Sequence, residues 1–206
     1  MVGLYDLGVD MKCYIAGLAL VCSILVYTEE PVAPQVQIGV EMSANKGDKL
    51  VSIGLDEAQR SAVAEKLNVL LANEYALYIR TQKFHWNVVG PHFGPLHKLF
   101  NDQFDAIAEY IDGVAERIRS LGFKAFGTLA EFKQNTILAE DPGKNPDSNS
   151  MIGLLLEGQE AIIKSIRPII DLTAQVNDMG TNNFLADLLE KHEKAAWFLR
   201  AHLLSE

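Results

Sequence analysis

The chain has 206 residues, is 49% hydrophobic and 22% charged, and carries a formal net charge of −9. This composition excludes a disordered chain and suits one compact domain with an appendage. Its acidity opposes binding to phosphate backbones and favours the attraction of cations.

The first 41 residues read differently from the rest. With Lys12 alone against Asp6, Asp10, Glu29, Glu30 and Glu41, they carry −4 of the charge, leaving −5 for residues 42–206. They also hold both cysteines, Cys13 and Cys22, so the remainder needs no disulfide, fits a reducing, cytoplasmic compartment, and has no Cys/His zinc pattern. Residues 13–27 form a weakly polar to apolar run. It is shorter than the roughly 20 residues of a membrane span, and its length fits the apolar part of a signal peptide. Its flanks lack a basic start and a small-residue cleavage site. Three readings stand: a chain whose natural start is Met42, a signal or membrane anchor, and an ordered extension. The expected division is 1–41 as an apolar extension and 42–206 as the folded domain.

The domain is expected to be all-α. Val63, Leu67, Leu70, Leu71, Leu77 and Tyr78 recur at helical spacing from Asp56, a candidate N-cap, to near Trp86, with Glu74 as an exception in the stripe. A second helix is predicted from Gly94 to Leu121, with Leu96, Phe100, Phe104, Ile107, Ile111, Ala115 and Ile118 on its apolar face and Gly122 as its stop. Turn signals at 126–128 and 141–146 bracket a short helix within Leu129 to Ala139. Long helices follow from Ser148 to Val176, with Pro168 inside, and from Thr181 to Leu204. Four long helices with a long connection between the second and third predict a ferritin-like four-helix bundle carrying a short extra helix in that connection.

The chemistry concentrates between Lys83 and Gly122. His97 and Asn101 lie one turn apart on the second helix, and so do Asp112 and Glu116. Eleven residues separate Asn101 from Asp112, close to three whole turns, so both pairs share a side of the helix. His97 and Asp112 are nevertheless about 22 Å apart along the axis, too far to share one metal ion. Two half-sites facing the same way call for an antiparallel copy of the same helix across a two-fold axis. His85, His97 and Asn101 of one subunit would then meet Asp112 and Glu116 of another. Imidazole with carboxylate suits Fe(II), Mn(II) or Zn(II). A single His or Asp on a helix surface is ordinarily just solvated; five at these spacings in an apolar helix pair argue for a metal site.

His85-Trp86-Asn87, Gly90, Phe93, Leu96-His97, Phe100, Asp112, Ala115-Glu116-Arg117-Ile118 and Leu121-Gly122 resemble the signature of the Dps family, the miniferritins. His192-Glu193-Lys194, Trp197 and Leu199-Arg200-Ala201-His202 also resemble that family. The resemblance implies a hollow twelve-subunit shell that binds iron between two-fold related subunits. It implies that Fe(II) is oxidised there, preferentially with hydrogen peroxide rather than dioxygen, and stored as ferric mineral against oxidative stress. By position, His85, His97, Asp112 and Glu116 match the family's ligands. Trp86 matches a tryptophan that donates electrons to bound oxidant, although an interface aromatic reads equally well.

Two departures qualify this. The family usually has a carboxylate four residues after the second histidine; here Asn101 offers an uncharged amide, which puts the second iron position in doubt and keeps open a catalytically weakened, iron-sequestering or structural shell. Asp102 lies about 100° further round the helix and is a poor substitute. A third reading, DNA compaction, is disfavoured: only Lys46 and Lys49 are basic between Met42 and Asp56, and the chain ends Leu203-Leu204-Ser205-Glu206. His92, His192 and His202 read as structural or solvated. No Glu-x-x-His motif occurs, which argues against a metal site at the centre of a single subunit.

Overall fold

The computed structural model describes residues 47–140 and 142–204. The readings of residues 1–41 lie outside the described residues. The described chain contains five helices: α1 (Glu57–Asn87), α2 (Phe93–Ser120), α3 (Leu129–Asn135), α4 (Ser148–Gln175) and α5 (Met179–Leu203). The four long ones form the expected bundle, with α1 packed on α2 and on α4, α4 on α5, and α3 covering α1. Among the described residues no helix is long and apolar enough to cross a membrane.

Local chemistry explains where the helices begin. Asp56 caps α1 with a capping box, accepting from the Gln59 N–H while the Gln59 side chain accepts from the Asp56 N–H. Thr128 and Glu131 do the same for α3. Asp147 opens α4 and Asp178 opens α5, so α5 starts two residues earlier than the sequence suggests. α3 is shorter than its turn-bracketed segment. Thr136 leaves the helix in an extended conformation because Asn73 Oδ1 accepts from both the Thr136 hydroxyl and the Ile137 N–H. The chain then buries Leu138. Pro168 lies within α4 on its exposed side, and the helix continues through it.

The core is continuous. Leu67, Leu70, Leu71 and Leu77 of α1, Phe100 and Ile107 of α2, Leu155 and Ile162 of α4, and Leu185 and Leu199 of α5 are buried in one cluster. Against each such leucine, truncation to alanine costs about 2–5 kcal/mol.

α1 departs from a simple amphipathic pattern because it also buries Arg60, Asn68, Asn73 and Glu74. The first three tie irregular chain to the bundle. Arg60 donates to the Leu121 carbonyl, and Asn68 bridges the Lys124 carbonyl and the Phe126 N–H. Asn73 holds the segment after α3. This anchoring fixes the end of α2 and the long connection to α4. Gly122 is required at that end: its φ is +89°, and an added Cβ would lie 2.8 Å from Val51 Cγ2 and 2.9 Å from Arg60 Nη1.

Candidate metal centre

The α1–α2 turn builds a histidine pair. Gly90 turns the chain with φ +115°, and the Phe93 N–H donates to the Gly90 carbonyl, so α2 returns beside the end of α1. His85 in the last turn of α1 then faces His97 in the second turn of α2. Their rings stack with centroids 3.8 Å apart at 22°. Each Nδ1 sits 2.9 Å from the backbone carbonyl oxygen of the other histidine.

This reciprocity fixes the tautomers. A carbonyl oxygen only accepts, so both Nδ1 atoms carry hydrogen, and in the neutral rings both Nε2 atoms carry a lone pair. Two half-buried imidazoles are thus oriented by backbone partners and keep one metal-binding nitrogen each, the usual arrangement around histidine ligands. Phe93 stacks on His97 at 5.1 Å and Phe104 meets His85 edge-on at 5.1 Å, closing the pair's apolar sides.

Asn101 is half-buried one turn beyond His97, and its Nδ2 donates to Asp105 Oδ2 at 2.7 Å. Asp102 is bound instead to Lys98 at 2.7 Å. Asp112 and Glu116 are exposed near the far end of α2. Trp86, beside His85, is 67% exposed. The single chain therefore brings His85 and His97 together, keeps Asn101 next to them, and leaves Asp112 and Glu116 apart. Among the described residues, no three His, Cys, Asp or Glu side chains converge on a metal position.

A second polar centre was not singled out by sequence reasoning. Glu74 of α1, Gln159 of α4 and His192 of α5 meet inside the bundle, with Glu74 and His192 both 0% exposed. His192 Nε2 lies 2.8 Å from Glu74 Oε1, and its Nδ1 lies 2.6 Å from Gln159 Oε1. Tyr110 of α2 packs edge-on against the imidazole at 5.3 Å, and burial pushes its hydroxyl above the usual tyrosine range. Each long helix gives one residue. The signal was present: Glu74 interrupts the stripe Leu67, Leu70, Leu71, Leu77, and His192 occupies the core position between Leu188 and Ala196. Both nitrogens of His192 are engaged within the chain, while Glu74 Oε2 is buried without a hydrogen-bond partner. Of the other histidines, His92 is an exposed residue at the start of α2, and His202 caps Phe198 at the end of α5.

Residues 64–205 match the Ferritin family, the ferritin-like domain. The chain is 38% identical over 154 residues to an uncharacterized low temperature-induced protein of Nostoc sp., covering 74% of this chain and 86% of that protein. DpsC from Streptomyces coelicolor is similar in structure, with a TM-score of 0.76 and 30% identity, covering 78% of this chain and 94% of the other. A Dps protein from Vibrio cholerae, described as a member of a broad superfamily of ferritin-like diiron-carboxylate proteins, aligns with a TM-score of 0.72 at 30% identity, covering 75% of this chain and 96% of the other. A ferritin-like bundle whose α1–α2 turn carries this histidine pair, matched along most of its length by these proteins, belongs to the Dps family, the miniferritins.

Proposed function

We propose that this protein captures Fe(II) at sites shared by two-fold related subunits, oxidises it, and stores the ferric product in a closed homododecameric shell. The observation that carries the reading is the His85–His97 pair. Its tautomers are set by backbone carbonyls, and its two Nε2 atoms remain for a cation. With Nδ1 committed to a carbonyl, Nε2 is the nitrogen of each imidazole that can ligate a metal. Asp112 and Glu116 of the partner subunit would complete the site. Two oxygen donors favour Fe(III) over Fe(II), which assists electron loss.

The reaction balances with hydrogen peroxide as the oxidant. Two Fe(II) each give one electron, peroxide takes both and, with two protons, leaves as two water molecules. Pairing the electrons in one step avoids releasing hydroxyl radical, which is the protective value of such a site under oxidative stress. Trp86, exposed next to His85, is assigned as an electron donor to the oxidant when only one iron is present. The net negative charge opposes DNA binding, and this reading places the protective role in iron chemistry in the cytoplasm. A gel shift at low salt is expected to show no retardation.

Stopped-flow oxidation of Fe(II) by peroxide tests the enzymatic reading. The assembled protein is expected to oxidise iron well above the protein-free rate, and His97→Ala to remove the excess. A wild-type rate equal to buffer would leave a shell without ferroxidase activity, the second reading that neutral Asn101 favours. In that case Asn101→Asp, which adds a charged donor, is expected to raise the rate.

A further inference from the structure

We propose that Asp105 is a further carboxylate ligand of this site, serving the second of its two cations beside Asn101. The inference rests on the two-fold site of the preceding section and extends it to a residue outside the histidine and carboxylate pairs.

Charge poses the question. Two Fe(II) bring four positive charges and two Fe(III) bring six. Against them His85, His97 and Asn101 supply neutral donors, and the partner subunit's Asp112 and Glu116 supply two negative charges. In a partly dehydrated interface such an excess of positive charge weakens the second cation most.

Helix register supplies a candidate. At about 100° per residue, and counting from His97, Asn101 lies at about 40°, Asp112 at about 60°, Asp105 at about 80° and Glu116 at about 100°. Asp105 therefore sits within the same stripe as the other donors. Pairing His97 with the partner subunit's Glu116, and Asn101 with the partner subunit's Asp112, places the two-fold axis between Ala106 and Ile107. Asp105 is then one turn, about 6 Å, from Asn101 on the axis side. Helix side chains lean toward the N-terminus, so the Asp105 carboxylate reaches back over the Asn101 turn.

The side chains agree with that placement. Asn101 Nδ2 donates to Asp105 Oδ2 at 2.7 Å, which draws the carboxylate to the half-site and leaves Oδ1 as its second donor. Asp102, the other nearby carboxylate, is held by Lys98 on a different face.

The test is anaerobic titration of the assembled protein with Co(II), read by calorimetry and by visible absorbance, on wild type, Asp105→Asn, Asp105→Asn with Asn101→Asp, and His97→Ala. Asp105→Asn keeps the side chain's size and removes only its charge, and the assembly mass of each variant is measured before titration. The expected result is two Co(II) ions per site in wild type, one in Asp105→Asn, and two again when Asn101→Asp returns a carboxylate one turn away. Two ions in Asp105→Asn, or only one in wild type, would overturn the role of Asp105 while leaving the histidine pair in place. Unchanged binding in His97→Ala would instead overturn the two-fold site itself, and the role of Asp105 with it.

Discussion

The molecule holds two histidine centres, and they solve opposite problems. At the α1–α2 turn, His85 and His97 spend their Nδ1 atoms on backbone carbonyls and keep Nε2 for something outside the chain. In the bundle interior, His192 spends both nitrogens on side chains of the same chain, Glu74 and Gln159. The first centre is half-buried and keeps both Nε2 atoms; the second is fully buried and engages both ring nitrogens within the chain. The contrast is one of engagement. Side chains of α1, α4 and α5 meet through His192 in the interior, whereas the imidazoles at the α1–α2 turn are held by backbone alone.

Breaking the interior centre should have the largest effect on stability. His192→Ala leaves the Glu74 carboxylate buried without its partner, and loss of one member of such a pair destabilises by about 3–5 kcal/mol. Denaturant unfolding should show this loss. Glu74→Leu combined with His192→Leu, which removes both polar groups, should recover much of it, because a well-packed apolar replacement escapes the desolvation penalty. An equal loss in the single and double variants would mean that shape, not charge pairing, dominates there.

The centre at the α1–α2 turn should respond in the reverse sense. His85→Ala and His97→Ala each remove one exchange of side chain for carbonyl at a partly exposed position, worth about 1 kcal/mol, while iron oxidation is lost. Thermal melts and stopped-flow traces on the same samples check both halves of this expectation. Trp86→Phe should leave iron stoichiometry and assembly intact and slow peroxide turnover several-fold when iron is scarce. If the mass of the assembly falls instead, Trp86 is an interface aromatic.

The smallest effect belongs to α3. The Gly127 N–H, then the Thr128 hydroxyl, hold the Glu131 carboxyl below its ordinary range. A depressed carboxylate contributes stability above its unfolded value and loses it as pH falls through the lowered one. Thr128→Ala should therefore cost about 1 kcal/mol at neutral pH and less under acid conditions, as read from unfolding midpoints at several pH values.

The fold was legible because its signals are local and periodic. The four helices follow apolar spacing, and Asp56 and Gly122 mark ends that the structure confirms. The end of α3 was not legible, since it depends on Asn73, which lies more than sixty residues earlier in the chain. The individual donors of the candidate site stood out through their intervals on α2. What those intervals cannot carry is orientation: the crossed bonds between His85 and His97 arise only when the α1–α2 turn folds back. Glu74 and His192 were visible as breaks in apolar stripes on α1 and α5. Their meeting 118 residues apart is a property of packing, which no single-helix pattern records. Asp105 lies one turn beyond Asn101, an interval the sequence contains; its hydrogen bond with the Asn101 amide is what the sequence does not record.

The central claim is that two chains build each iron site, and mixed assemblies test it most directly. Subunits carrying His97→Ala and subunits carrying Asp112→Ala should each form inactive shells. Co-assembled in equal amounts, half of the two-fold pairs join unlike subunits, and each such pair has one site with both wild-type halves. The account predicts recovery of about a quarter of wild-type peroxide-dependent iron oxidation. Activity no higher than that of the separate variants, in shells shown by mass to contain both, would contradict it.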